Sequence, residues 1–281
     1  MSHPLIVEAI ETEFHPVLVF NNREGTDADW LKRFEEPAWN NPVIRYLNEA
    51  GEDVIPRRDE IWSVEGTAAR IIAALEAAQR PAPNYLHWIG RRGKTETAEF
   101  AMHCYWEGEA KLGSIPGVLQ TRAGWRDGLE VVQLEFDPEK VDYRKLLDTA
   151  QSFDCASKVF THTDGQWSVA KERVGADAVR VDDAMREAKA SDQRYYLRHS
   201  IVRHLPLTPY QATKLNAALG LKQPLEPWLS PRQRAMLKTI RMLPESEIAS
   251  LSEFECPKDE NALGAYATKL EQTLKKICDG F

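Results

Sequence analysis

Cysteine is scarce in this chain: Cys104, Cys155, Cys256 and Cys278 are the four present in 281 residues, and none stands in a CxxC or other paired spacing. That sparsity excludes a disulfide scaffold, and the missing pair spacing argues against a structural zinc knuckle, so no metal is expected. Glycine and proline are modest too, at 15 and 16 residues, which excludes low-complexity and collagen-like classes. Positive charge is in deficit, with 36 Lys and Arg against 43 Asp and Glu and a net charge of −7. Without a basic field to gather phosphates, neither nucleic acid nor an anionic membrane is an expected partner. No apolar run approaches the ~18 residues of a transmembrane helix. The opening MSHPLIVEAIETEF carries Glu8, Glu11 and Glu13 where a signal peptide needs a basic start, so a cytoplasmic location with reduced thiols is expected. Arg91-Arg92-Gly93-Lys94 lacks the spacing of a phosphate loop and reads as solvated linker, and no cofactor is expected.

What is present is an ordinary globular composition, 43% apolar and 28% charged, over a length that suggests about two domains. Residues 1–90 read as alternating strand and helix. The run HPVLVF (15–20) suits a buried strand, and Trp30, Leu31 and Phe34 fall at helical spacing. Asn41-Pro42 opens VIRYLNEAG as N-cap and first helical position, with Gly51 just past the end. GTAARIIAALEAAQR (66–80) sets Ile71, Ile72 and Leu75 on one side of a helix that closes at Pro81, and 80–86 reads as a linker.

From residue 95 the period changes. TETAEFAMH alternates as a strand, and CYWEGEAKLG (104–113) reads as a helix ending at Gly113. Residues 117–125 and 129–136 read as strands joined by the turn Arg126-Asp127-Gly128, and 141–153 as a helix with Leu146, Leu147 and Ala150 inward. Strand, helix, strand, strand, helix is the order of a split βαβ or ferredoxin-like sheet, so an α+β class is predicted. Past residue 168 the pattern is helical throughout. Thr208-Pro209 and Ser230-Pro231 each set a cap before a proline, Gly220 ends the first of these helices, and 259–278 is a final amphipathic helix. The division predicted is 1–90, 95–170 and a helical region 171–281.

Cys104 closes a strand and opens a helix, which sets its sulfur at a helix N-terminus, where free N–H groups favour thiolate over thiol. A protonated His103 would push the same way, and Tyr105 and Trp106 stand ready to wall an apolar pocket beside the sulfur. The alternative reading of the same residues is a small buried thiol among aromatic core neighbours. Further on, RYYLRHSIVRH (194–204) reads as a helix with basic outer positions, and His199 and His204, five apart, splay instead of pairing on a metal.

His103-Cys104-Tyr105-Trp106-Glu107-Gly108-Glu109 resembles the Gly-Cys-Phe-Trp-x-x-Glu motif of the A-type methionine sulfoxide reductases. Gly117-Val118, Thr121 and Gly124-Trp125 stand where that family has Gly-Val, Thr and Gly-Tyr. Leu129-Glu130-Val131-Val132 and Phe136-Asp137-Pro138 are similar to its His-Ala-Glu-Val-Val and Asp-Pro strand, and the helix with Tyr143, Leu146 and Leu147 follows in the same place. The resemblance implies that Cys104 attacks a sulfoxide sulfur, that Tyr105 and Trp106 hold the S-methyl group, and that Glu109 completes the substrate-binding motif. It also implies that Glu130 protonates the sulfoxide oxygen as the S–O bond breaks, since a sulfoxide is a poor electrophile until its oxygen is protonated. Glu130 is expected on the strand face opposite Val132, Leu134 and Phe136. His162 to Ser168 stands for the family's Asp-x-Gly-x-x-Tyr-Arg-Ser stretch at altered spacing, which implies Asp164 and Trp167 as further substrate-binding residues.

Two departures stand out: His103 replaces the family's Gly, and the loop between Trp125 and Glu130 is cut to Arg126–Leu129, which removes part of the family's pocket. The implied product is a sulfenic acid on Cys104, which a second thiol must resolve. Cys155 is the first choice, being in the same domain and least costly to bring to Cys104; Cys256, Cys278 and an external thiol such as a thioredoxin are the others. Residues 1–90 resemble a thioredoxin fold without its active site, with VLVF as central strand and Asn21-Asn22-Arg23-Glu24 where Trp-Cys-x-x-Cys would stand. The expected function is thiol-dependent reduction of methionine sulfoxide or a related sulfoxide, carried by a small molecule or a protein. The alternative is a non-catalytic binding or cysteine-based redox-sensing protein on the same scaffold.

Overall fold

The structure, a computed structural model, describes residues 3–36, 43–89, 93–257 and 259–279. They belong to two compact units, residues 1–91 and 92–281. No helix among the described residues is long and apolar enough to cross a membrane.

The first unit holds α1 (Pro4–Glu13), α2 (Thr26–Arg33), an antiparallel pair β1 (Val43–Ile44) and β2 (Arg58–Asp59), α3 (Val64–Ala77), and a 3-10 turn at Asn84–Trp88. Ser63 caps α3 by accepting the Gly66 N–H at 3.0 Å, and the helix buries Ile71, Ala74 and Leu75. Two sequence expectations fail in this unit. Among the described residues, 15–20 pair with no strand, and Val17 and Leu18 are 75% and 74% exposed, where a central strand would bury them. The run has strand composition but no partner strand among the described residues, and Pro16 removes a backbone donor from its start; the described residues therefore show no thioredoxin-like sheet. The helix expected from residue 43 is instead a strand and a turn. Asn48 accepts the Glu52 N–H at 2.9 Å, Gly51 takes φ +75°, and Arg45 ties the turn down through Glu36 (2.7 Å) and Asp53. The expected cap residues Asn41 and Pro42 lie outside the described residues.

In the second unit β3 (Glu96–Met102), α4 (Tyr105–Ser114), β4 (Val118–Arg126), β5 (Leu129–Phe136) and α5 (Tyr143–Ser152) follow the predicted order. β6 (Lys158–Thr161), α6 (Asp164–Val174), β7 (Ala178–Arg180) and β8 (Arg186–Glu187) come next. Among the described residues the sheet order is β7-β6-β3-β5-β4-β8, with all neighbours antiparallel except β6 and β7. Its inner four strands are the split βαβ arrangement, and the α+β class holds. The edge strands β7 and β8 correct the all-helical reading past 168. At three and two residues they are too short to carry a period of their own.

Alternation divides the sheet into two faces. Ala98, Phe100 and Met102 of β3 and Val132, Leu134 and Phe136 of β5 meet Leu112 of α4 and Leu146 and Leu147 of α5 in one core. Each such large apolar side chain contributes roughly 1.5–3 kcal/mol on burial. Ala101, Val131 and Phe160 point the other way and are covered by Val179, Val181 and Met185. The β4–β5 hairpin closes through Asp127 (φ +52°) and Gly128 (φ +78°), the two left-handed residues of a type I′ turn.

The helical region contains α7 (Tyr195–Arg198), α8 (Pro209–Gly220), α9 (Pro231–Met242), α10 (Glu245–Ser250) and α11 (Leu263–Asp279). Thr208 and Ser230 are N-caps as predicted, each in a capping box with Gln211 or Gln233. The two buried glutamine amides also bond each other, at 2.7 and 3.2 Å, and so lock the two proline-started helices together at their N-termini. Lys214 of α8 is 2% exposed and donates Nζ to Gly113 O (2.7 Å) and Ile115 O (2.9 Å). These are carbonyls at the end of α4 that the helix leaves without an internal partner, so α8 is fastened to the helix that Cys104 opens.

Candidate active site

β3 ends at Met102 and α4 begins at Tyr105, which makes the half-buried Cys104 the N-cap of α4. Its carbonyl accepts the Gly108 N–H at 2.9 Å, and its side chain makes no cap bond. The first turn lies so close on the sheet that a Cβ at Gly108 would stand 1.8 Å from Met102 Sδ. His103, the bulky replacement ahead of the cysteine, is exposed.

Glu130 is paired in register with both Met102 and Trp125. Its Oε2 accepts the Tyr105 N–H at 2.7 Å, one of the free donors at the start of α4. A carboxylate and a cysteine thus flank the same helix start. Glu130 shares the face of Val132, Leu134 and Phe136, because residues two apart point to the same side of a strand; the opposite-face expectation is corrected.

Tyr105 and Trp106 meet edge to face at 6.1 Å and 66°, and Tyr105 meets Trp125 at 5.7 Å and 87°. Trp106 stacks on Tyr195 at 4.0 Å and 18°. Burial pushes the Tyr105 hydroxyl up from its ordinary value, helped by the negative charge of the Asp192 carboxylate. Burial also raises Tyr196, and a thiolate at Cys104 is the next cause, so this tyrosine lies within electrostatic reach of the sulfur. The stretch read as one helix with a basic outer face is corrected here: Arg194 is left-handed at φ +48°, and the helix covers only Tyr195–Arg198. The segment brings Tyr195 to Trp106, Asp192 near Tyr105 and Tyr196 within electrostatic reach of Cys104, and sequence reasoning missed all three. The signal available was two adjacent tyrosines inside a basic run.

Glu109 has no exposed surface, and both its oxygens are engaged, by Thr121 Oγ1 at 3.0 Å and by the Arg194 N–H at 2.6 Å. Burial pushes its carboxyl from 4.5 up to about 7 against those two bonds. The folded state therefore holds this proton more tightly than the unfolded chain. Stability from this group is full below about pH 4.5 and is lost as pH rises through 7, by roughly 3 kcal/mol. Chemical denaturation between pH 5 and 8 is expected to show that decline, and Glu109→Gln to flatten it.

Cys155 is buried, and the loop after α5 returns it toward the Cys104 end of the sheet, where the Ser157 N–H donates to Ala101 O at 2.9 Å. Burial pushes its thiol up to about 11; the Lys111 ammonium opposes this, and a thiolate at Cys104 adds a smaller contribution. Cys256 exchanges bonds of 3.2 Å with the Leu207 backbone at the helical core, and burial pushes it up to about 11 as well. Cys278 is exposed near the end of α11.

Asp164 and Trp167 are not at this site. β6 runs antiparallel to β3, so the chain leaving it moves away from Cys104, and Gln166 Nε2 donates to Thr97 O at 2.8 Å. Thr97 is seven residues before Cys104 in the sequence, about 20 Å of extended chain. Asp164 pairs with Arg180 at 2.5 Å, and Trp167 lies beneath Arg180 and Lys171. The altered spacing of residues 162–168 thus has a structural counterpart, a salt-bridged helix start at the far end of the sheet. Among the described residues no group of three or more His, Cys, Asp or Glu could hold a metal ion.

No family model matches the chain. It is 37% identical over 67 residues to peptide methionine sulfoxide reductase A5 of Oryza sativa subsp. japonica, covering 19% of this chain and 26% of that protein. It is 28% identical over 167 residues to the peptide methionine sulfoxide reductase of Drosophila melanogaster, covering 44% and 68%. To peptide methionine sulfoxide reductase MsrA of Thermoactinomyces vulgaris it is 34% identical over 68 residues, covering 18% and 55%. The chain spans about a quarter of the rice relative's length. These matches support a domain similar to the peptide methionine sulfoxide reductases within the chain.

Proposed function

We propose that this protein reduces methionine sulfoxide, or a closely related methyl sulfoxide, with Cys104 as the nucleophile. The observation that carries the reading is the joint helix start: Cys104 at the N-cap of α4, with the Glu130 carboxylate on the next N–H at 2.7 Å. Beside it, Tyr105, Trp106 and Trp125 supply aromatic surface for an S-methyl group. Cys104 Sγ attacks the sulfoxide sulfur while Glu130, through Oε1, delivers a proton to the sulfoxide oxygen. The S–O bond breaks and the oxygen ends on Cys104 as a sulfenic acid. The substrate sulfur is reduced by two electrons to the thioether, and the cysteine sulfur is oxidised by two.

A second thiol then attacks the sulfenic acid, forms a disulfide and releases water, and an external thiol reductant such as a thioredoxin restores the pair. Cys155 takes that role, supported by its return toward the Cys104 end of the sheet; the Lys111 ammonium offsets part of the burial that holds its thiol up at about 11. Chromatographic assay of methionine formed from methionine sulfoxide with excess dithiol tests the activity; no methionine above the protein-free control overturns it. Disulfide mapping after one equivalent of substrate is expected to find Cys104 linked to Cys155. A link to Cys256 or Cys278 would move the resolving role to the helical region, and an isolated sulfenic acid on Cys104 would leave it to the external thiol.

A further inference from the structure

We infer that residues 192–196 form a strap that restricts access to Cys104 to compact sulfoxides, and that Glu109 is the positioning residue that holds the strap in place. The substrate part of this inference rests on the proposed function; the strap itself does not.

Backbone and side-chain bonds fix the strap at several points. The Ala188 N–H donates to Ala123 O at 3.0 Å. The Gln193 amide then engages both backbone groups of Ala123, accepting its N–H at 3.0 Å and donating to its carbonyl at 2.7 Å, in the manner of one more strand residue on the edge of β4. The Arg194 N–H reaches Glu109 Oε2 at 2.6 Å, and the Leu197 N–H reaches Asn216 Oδ1 at 3.0 Å. Between these anchors Arg194 adopts the left-handed backbone that a non-glycine residue avoids, and the short bond to a carboxylate holds it there. Both aromatic residues that follow Cys104 are engaged by what lies between the anchors. Tyr195 covers one face of the Trp106 indole, backed in turn by His199 at 4.1 Å, and the Asp192 carboxylate lies close enough to Tyr105 to push its hydroxyl up. Tyr196 stands edge-on to Tyr195 at 5.7 Å, and both tyrosines stay half-buried. A ligand large enough to need that indole face must displace Tyr195, whereas a compact one need not.

Glu109 stands behind this arrangement. With both oxygens occupied by Thr121 and Arg194 it offers none to a substrate, so its effect on the site passes through the strap. Glutamine keeps both bonds, accepting from the Arg194 N–H and donating to Thr121 Oγ1, whereas alanine loses both.

The test is the alkylation rate of Cys104 in the native protein, followed by peptide mapping, with iodoacetamide as the compact reagent and fluorescein maleimide as the bulky one. In Tyr195→Ala the bulky reagent is expected to react ~10-fold faster, the factor that a ring stack of about 1.4 kcal/mol would hold back, with the compact rate nearly unchanged. Glu109→Ala should behave in the same way and Glu109→Gln like the parent, with kcat/KM for a bulky N-blocked methionine sulfoxide rising relative to the free amino acid. An unchanged bulky-to-compact ratio in Tyr195→Ala overturns the strap, whether or not the Glu109 variants fold. If the ratio changes but no variant reduces any sulfoxide, the strap stands and the proposed function falls.

Discussion

Cys104→Ser is expected to lower methionine sulfoxide turnover by ~10³-fold or more, because a hydroxyl at this position is a far weaker nucleophile than a thiolate. The same substitution should leave the fold as stable as before or slightly more so. Cys104 occupies the N-cap of α4 without making a cap bond, and serine is among the preferred residues there, contributing about 1 kcal/mol when it does. Activity and stability therefore move in opposite directions, a pattern that a core-packing role for the thiol would not produce. Turnover assays beside thermal unfolding measure both, and turnover within tenfold of the parent would remove Cys104 from the chemistry.

Glu130→Gln should slow turnover by ~10²-fold or more, the usual cost of losing a general acid. The glutamine carbonyl can still accept the Tyr105 N–H that Glu130 now takes at 2.7 Å, so the start of α4 persists. The loss should fall on kcat, with the alkylation rate of Cys104 changed far less. Unchanged kcat would show that the carboxylate serves only to cap the helix.

How legible all this is in the sequence depends on the range of the signal. The strand into Cys104, the helix after it and the Asp127-Gly128 hairpin are local patterns of period and turn chemistry, and they form where the residues predict. The capped helices at Thr208 and Ser230 are equally local. Residues 15–20 mislead because strand composition needs a pairing partner, which no window of one segment reveals. Asn48 and Gly51 in turn overrule the helical spacing around them. The strap is the least legible part. Its contact with the site depends on Gln193 pairing with Ala123 and on Arg194 meeting Glu109, 70 and 85 residues away. The motifs around Cys104 and Glu130 are continuous and the fold brings both residues to one helix start, whereas Asp164 and Trp167, from the stretch whose spacing had slipped, lie at the other end of the sheet.

A single turnover tests the central claim most directly. Fully reduced protein is mixed with one equivalent of methionine sulfoxide, with no external thiol present, then quenched, and both products are measured by mass spectrometry. The account predicts one methionine per protein molecule, matched by one oxidised Cys104, either as the sulfenic acid or in a disulfide. Methionine sulfoxide recovered intact, with Cys104 still a free thiol, would contradict it.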